Sequence, residues 1–198
     1  MKLLREYIRE LLTESTIHPK IMRMIDRLED EEGGKVRINR YQVLVKDWQN
    51  KTLAQVSFDP TDGIHGKCSG ASIVSIAEAE GGYGPLAYDI AIEATGGLAA
   101  DRTEVSDEAE AVWDYYTNYR KDVQVDQLDI DYMNSYGEDQ LTPDDKSDDC
   151  DQVPAYDKYG PSWNESGLSK KISKVGTPVM DELRKRGMIK ERNYSVNT

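Results

Sequence analysis

The stretch Glu78–Gly97, EAEGGYGPLAYDIAIEATGG, decides the fold because it places a cluster of glycines between an apolar run and an amphipathic run. The run before the glycines, ASIVSIAEA at 71–79, has the composition of a strand. Gly84-Pro85 opens a helical pattern, with the glycine suited to the N-cap and the proline to the first helical position. Gly96-Gly97 ends that pattern. The stretch therefore predicts a strand, a glycine turn and a helix.

The glycine turn has two interpretations from its residues alone. The backbone N–H groups of Gly82, Tyr83 and Gly84 would point outward along the helix dipole, which is how proteins hold a phosphate or pyrophosphate. Alternatively, the turn is tight and needs glycine only for a positive φ. Glu78 and Glu80 flank the turn, and each would oppose an anion by about 1 kcal/mol if exposed.

Composition limits the classes of function. The chain has 198 residues, a formal net charge of −12 and 38% hydrophobic residues. This length predicts one domain with appendages, and the acidic balance argues against direct binding to nucleic acid. No apolar run approaches the roughly 18 residues of a membrane-spanning helix, so we expect a soluble protein without a membrane partner.

The cysteines and histidines predict no metal site. Cys68 and Cys150 lack metal-type spacing and form no framework of pairs, which is typical of a reducing compartment, and Cys68 is expected to be a buried, inert thiol. His18 and His65 are far apart, and neither lies in a set of ligands at metal spacing.

Several elements surround the glycine turn in the sequence. A helix is expected from Pro19 to the glycines at 33–34. A strand at 35–48 and another at 51–59 are expected to form a hairpin, and a short strand lies within 97–105. This mainly antiparallel order disagrees with a dinucleotide-binding fold, although Gly82–Ala87 matches the letters of its glycine fingerprint.

Two more helices are expected after the short strand. Ser106 caps the first, whose inner face carries Trp113, Tyr116 and Tyr119. Thr177 precedes the second at the C-terminus. The predicted organisation is an N-terminal helical extension at 1–34, a core at 35–121, an acidic insertion at 122–165 and a C-terminal helix within 166–198 that completes the domain.

The order of elements over residues 35–120 resembles the GNAT (Gcn5-related) N-acetyltransferases. In that family a strand ends at an R/Q-x-x-G-x-G/A turn that wraps the pyrophosphate of acetyl-CoA, and Ala79-x-x-Gly82-x-Gly84 occupies this position. DRTEVSDEAEAVW at 101–113 is similar to the D-R-x-x-V-S-x-x-A-x-x-V-W pattern of a GNAT-like group in tailed phages. Ala79 departs from the family because it stands where an arginine or glutamine is expected.

This resemblance implies an α/β (α+β) fold with a mixed, mostly antiparallel sheet flanked by helices. It also implies acetyl-CoA as cofactor and transfer of its acetyl group to an amine of a protein or small molecule. The implied cofactor-binding residues are Ile76, Ala77, Gly82, Tyr83 and Gly84.

The resemblance also implies catalytic roles. Glu78 and Asp101 are candidate bases for the incoming amine, and Tyr116 is the candidate acid that protonates the departing thiolate. A second interpretation of Tyr116 stays open, since its helical spacing with Trp113 and Tyr119 is also that of a core aromatic.

The N-terminal residues 1–14, MKLLREYIRELLTE, resemble the amphipathic peptides at the start of internal head proteins of large tailed phages. Leu12-Thr13-Glu14 has the form cut by the prohead protease of such phages. This resemblance implies packaging in the virion head, with other virion proteins as partners, or a location in the host cytoplasm. Two alternatives to an enzyme stay open: a non-catalytic virion protein that keeps the fold, and an acidic inhibitor of a host protein that acts through residues 122–151.

Overall fold

The computed structural model of the chain describes residues 17–60, 68–130, 140–142 and 145–191. The predicted N-terminal peptide, residues 1–14, and His65 lie outside these ranges, so the expectations about them stay predictions.

The elements alternate between short strands and short helices. The helices are α1 Pro19–Asp30, α2 Gly84–Thr95, α3 Asp107–Tyr119, α4 Val153–Tyr159 and α5 Pro178–Lys185, with 3₁₀ turns at Gly160–Glu165 and Gly167–Ser169. The strands are β1 Lys35–Asn39, β2 Gln42–Lys46, β3 Thr52–Asp59, β4 Ser72–Ala79, β5 Leu98–Ala99, β6 Gln124–Gln127, β7 Asp129–Ile130, β8 Asp149–Cys150, β9 Lys170–Ser173 and β10 Ile189–Glu191.

Eight of these strands form one mixed sheet in the order β10-β1-β2-β3-β4-β5-β9-β6, and β7 and β8 form a separate parallel pair. Strands β1 to β4 are an antiparallel meander, whereas β10 is parallel to β1 and β5 is parallel to β4. This architecture confirms the prediction of a mixed α/β fold with a mostly antiparallel sheet flanked by helices.

The main core lies on one face of the meander. Alternate residues of β1 to β3 are buried, as expected for strands with one covered face. Helices α1 and α2 supply the opposing apolar side chains, Ile21, Ile25, Leu28, Leu86, Ala87, Ile90 and Ala91, each at most 1% exposed. The predicted α1 is confirmed.

The prediction of a single strand over 35–48 is wrong, because the chain turns at Arg40-Tyr41. The Asn39 side chain accepts hydrogen bonds from the backbone N–H groups of Tyr41 at 2.8 Å and Gln42 at 3.0 Å. This Asx turn joins β1 and β2, so the meander has one more strand than the sequence suggested.

The segment predicted as an acidic insertion, 122–165, contributes to the folded core as well as to the surface. It supplies β6 to the edge of the main sheet, and Leu128, Ile130 and Trp163 are at most 2% exposed. The C-terminal part supplies β9, α5 and β10, of which β9 lies between β5 and β6.

The expectation of unpaired thiols is wrong. Cys68 and Cys150 are both buried and are joined by a disulfide that links residues 82 positions apart. Their long separation gives no signal in the sequence, because the folded chain alone brings the loop before β4 against β8.

Candidate functional site

Strand β4 loses its neighbour on one side halfway along its length. Its first residues pair with β5, Ser72 with Leu98 and Ile73 with Ala99, and this pairing then ends because β5 is two residues long. From Val74 to Ala79, β4 keeps β3 on its other side but has no second partner strand within the described ranges. This half of β4 therefore leaves backbone N–H and C=O groups along an open edge.

A bulge lies at the start of the open edge. Ser57 pairs with Ile76 and Phe58 pairs with Val74, so Ser75 is an extra residue on β4. A bulge turns the backbone away from regular pairing and is common beside binding sites. Ile76, which follows it, is 48% exposed.

A cavity of about 180 Å³ lies at the end of the open half of β4, between β3, β4 and the first turns of α2 and α3. Its wall includes Ala77, Glu78 and Ala79 from β4, Gly84 and Tyr88 from α2, and residues from β3 and the first two turns of α3. Of the predicted site residues, the structure thus brings three to this cavity: Ala77, Glu78 and Gly84.

The glycine turn has the backbone conformation that its composition predicted. Gly81 and Gly82 have φ values of +59° and +79°, which side chains rarely adopt. A Cβ atom on Gly84 would lie 3.3 Å from the Cβ atom of Ala79, so this glycine lets α2 begin close against β4. Helix α2 starts one residue earlier than predicted, with Tyr83 rather than Gly84 at the N-cap.

A cation reaches the turn from another element. The Arg27 side chain, from α1, donates its Nε–H to the Tyr83 hydroxyl at 3.0 Å and an Nη2–H to the Gly81 carbonyl. Its guanidinium lies 4.2 Å from the centre of the Tyr83 ring, within the range of a cation–π contact. The sequence analysis missed Arg27 because it lies more than 50 positions before the turn.

The acidic residues beside the turn differ in their pairing. Glu80 forms an ion pair with Lys51, whose Nζ atom lies 2.5 Å from Oε2, and this hydrogen bond and charge raise the pKa of Lys51. Glu78 is exposed and lines the cavity. One of the two carboxylates expected to oppose an anion is therefore matched by a cation.

The structure places Tyr116 in the core rather than on the cavity wall. Tyr116 is 1% exposed, and its hydroxyl donates to the Asp89 carboxylate at 2.6 Å. Burial and the charge of Asp89 raise the pKa of Tyr116 well above its ordinary value. Tyr119, expected on the same inner face, is 74% exposed, so that expectation is wrong.

Asp101 is not among the residues that line the cavity. Its Oδ1 atom accepts a hydrogen bond from the backbone N–H of Thr103 at 2.7 Å and one from the Thr103 hydroxyl. These contacts give Asp101 a role in shaping the loop after β5, and its predicted role as a base stays a prediction.

Tyr88 is a cavity residue that the sequence analysis missed. It is 5% exposed, and its hydroxyl has no hydrogen-bond partner in the parts of the chain that the structure describes. Burial raises the pKa of Tyr88 to about 12, which keeps the phenol protonated at neutral pH. Tyr88 is the fifth residue of α2, and no motif in the sequence distinguishes it.

The described residues contain neither a metal cluster nor a membrane-spanning helix. Within residues 17–60, 68–130, 140–142 and 145–191, no group of three or more histidine, cysteine or acidic side chains could hold a metal ion. The helices of those same ranges include none that is long and apolar enough to cross a membrane.

Comparisons with protein-family models, curated proteins and solved structures found no match to this chain.

Proposed function

We propose that the chain is a GNAT-like N-acetyltransferase, encoded by a tailed phage, that binds acetyl-CoA where β4 and β5 diverge. The observation that carries the proposal is the open edge of β4, which continues directly into the glycine turn and α2. The acyl acceptor would be an amine of a protein or a small molecule.

The open edge of β4 suits the pantetheine arm of acetyl-CoA. That arm contains amide groups, and an unpaired strand edge offers N–H and C=O groups at regular spacing to such amides. Ile76 and Ala77 lie on the exposed part of the edge, just after the bulge at Ser75. A backbone N–H there would donate to the thioester oxygen as negative charge develops on it.

The glycine turn suits the pyrophosphate. The backbone N–H groups of Gly82 and Gly84 lie at the positive end of the α2 dipole, and neither residue has a side chain that would block a ligand. The Tyr83 N–H between them donates to the Glu80 carbonyl at 3.3 Å and closes the turn. Ala79 stands where the family motif has an arginine or glutamine and supplies no donor side chain. Arg27 supplies a positive charge at the turn instead. The guanidinium has five N–H donors, and its contacts with Tyr83 and Gly81 use two of them.

Two residues are suited to the proton transfers. Glu78 lines the cavity and would take the proton from the attacking amine, directly or through water. When the amine nitrogen bonds to the acetyl carbon and the carbon–sulfur bond breaks, the thiolate needs a proton. Tyr88 reaches the cavity and would donate it, whereas the Tyr116 hydroxyl is engaged with Asp89.

Calorimetric titration with acetyl-CoA tests the proposal. We expect micromolar affinity for the wild type and at least tenfold weaker binding for Gly84→Glu, which places a negative charge and a side chain in the turn. Ala94→Glu is the matched control, because it adds the same charge to an exposed position at the far end of α2. No binding to the wild type at millimolar acetyl-CoA, or equal binding by both variants, would overturn the proposal.

A second candidate function is a non-catalytic virion protein that keeps this fold. Ala79 in the turn favours it, since a donor side chain of the family motif is missing. Mass spectrometry of the protein from its native particle tests packaging. A mature N-terminus at Ser15 would support cleavage after Glu14, and one at Met1 would exclude it.

A further inference from the structure

A second cavity, of about 300 Å³, lies beside the turn between β2 and β3. Its wall carries three cations, Lys35, Arg37 and Lys46, together with Trp48 and Asn50. None of the three cations forms an ion pair with another described residue. In a chain with a net charge of −12, a cluster of unmatched cations is unusual and produces a local positive potential.

Two of the three cations are held in place by Asn50, in the loop between β2 and β3. Asn50 has φ of +69° and is the one non-glycine residue with positive φ in the described ranges. Its Oδ1 atom accepts a hydrogen bond from Arg37 Nη2 at 2.7 Å, and its carbonyl accepts one from Lys46 Nζ at 3.1 Å. Thr52 Oγ1 also accepts from Lys46 at 3.0 Å. Asparagine adopts this conformation readily in turns, so Asn50 both closes the loop between β2 and β3 and holds the two cations.

Trp48 is the aromatic residue of the cavity wall. Its backbone N–H donates to the Glu32 carbonyl at 2.8 Å, and its indole ring faces solvent, so that the residue is 71% exposed. Asp47 is the acidic residue of the wall, and its Oδ1 accepts a hydrogen bond from the Lys51 N–H at 2.8 Å. The cavity thus combines a flat apolar surface with two positioned cations.

We propose that this cavity binds a small organic anion consisting of a flat ring that bears a phosphate or carboxylate group. Arg37 and Lys46 would hold the anionic group, because guanidinium and ammonium donors bind such oxygens strongly. Trp48 would stack on the ring. The volume is at the lower end for ligand pockets and fits one ring with one anionic group.

The site is separate from the cavity beside β4. Arg37 pairs with Leu44, Leu44 with Gln55 and Gln55 with Glu78, so Arg37 and Glu78 lie three strands apart on one face of the sheet. Three strand spacings correspond to about 14 Å. Binding at Arg37 can therefore be measured without acetyl-CoA, and its outcome does not depend on the proposed acetyl transfer.

The test uses phenyl phosphate and benzoate as probes, the first for a phosphate and the second for a carboxylate. Calorimetry and the NMR signal of the Trp48 indole N–H follow each titration of the wild-type chain. We expect saturable binding of at least one probe, and at least tenfold weaker binding of phenol, which has the ring but lacks the anionic group. Higher salt should weaken the binding.

Variants place the binding at this cavity. Each of the variants Arg37→Gln and Trp48→Ala should bind the probe at least tenfold more weakly than the wild type. Lys185→Gln is the matched control, since it removes one positive charge from a side chain that is 80% exposed on α5. Absence of saturable binding by both probes, or equal affinity in Arg37→Gln and the wild type, would overturn the proposal.

Discussion

Tyr116 and Asp89 are joined by a hydrogen bond of 2.6 Å between the phenol oxygen and carboxylate Oδ1, with both side chains at most 1% exposed. The other carboxylate oxygen of Asp89 lies 2.8 Å from Arg120 Nη2 and 2.6 Å from Lys174 Nζ. Tyr116 belongs to α3, Asp89 to α2, and Lys174 follows β9. This buried network therefore connects three parts of the chain behind the proposed acetyl-CoA site.

We expect Tyr116→Phe to reduce stability and leave catalysis largely intact. Asp89 loses one hydrogen bond but keeps both cations, so the free energy of unfolding should fall by about 1–2 kcal/mol. Urea unfolding measures this change. Tyr119→Phe is the control, because Tyr119 is 74% exposed and its substitution should change stability by less than about 0.5 kcal/mol.

Activity separates this interpretation from the one suggested by the sequence. If Tyr116→Phe lowered kcat a hundredfold while stability stayed unchanged, Tyr116 would be the acid that the family resemblance implied. Tyr88→Phe should instead show the larger fall in kcat, since Tyr88 lines the cavity.

The environment of Glu93 leads us to expect that stability depends on pH. The Glu93 carboxylate is buried and accepts hydrogen bonds from the backbone N–H groups of Val179 at 3.1 Å and Met180 at 2.9 Å, in the first turn of α5. Burial raises the pKa of Glu93 above 4.5, although Lys174 and the two N–H groups act in the opposite direction. Between 4.5 and the raised pKa, the folded state binds more protons than the unfolded state, so this contribution to stability is lost as pH rises.

Comparison of the wild type with Glu93→Gln isolates this effect. Other titrating groups are common to both proteins, so the difference in unfolding free energy should turn against the wild type as pH rises from 4 to 7. Urea unfolding at several pH values measures the difference. A difference that grows in favour of the wild type would mean that the hydrogen bonds lower the pKa more than burial raises it.

Local signals predicted the elements around the site well. Ser106 accepts a hydrogen bond from the Ala109 N–H at 3.2 Å, and Gly96 ends α2 with φ of +76°, as the capping patterns indicated. Strand β4, the glycine turn and α2 also fall where residues 71–97 placed them. These features depend on neighbours within a few residues, which a single sequence contains.

Features that depend on distant residues could not be predicted in the same way. Arg27 reaches the turn, and Asp89 is buried because Arg120 and Lys174 come from later elements to neutralise it. Without those partners, an acidic residue on a helix is expected to face water. The sequence suggested that Cys68 and Cys150 are unpaired for the same reason, since no local pattern indicates a disulfide between positions 82 residues apart.

The disulfide should make stability depend on redox conditions. A bridge that closes an 82-residue loop restricts the unfolded chain strongly, so reduction should lower the free energy of unfolding by about 2–5 kcal/mol. Thermal unfolding with and without a reductant measures the change, and the double variant Cys68→Ser/Cys150→Ser should be insensitive to the reductant. Two free thiols in protein purified without a reductant would contradict the prediction.

Arg27→Gln should weaken binding of coenzyme A at least tenfold and leave binding of pantetheine unchanged. Arg27 lies at the turn proposed for the pyrophosphate, which coenzyme A has and pantetheine lacks. Calorimetry with both ligands measures the two affinities, and Arg23→Gln, an exposed position on α1, is the matched control. If the variant bound both ligands equally more weakly, Arg27 would only support the turn through Tyr83 and Gly81. If it bound both with unchanged affinity, Arg27 would not be part of the binding site.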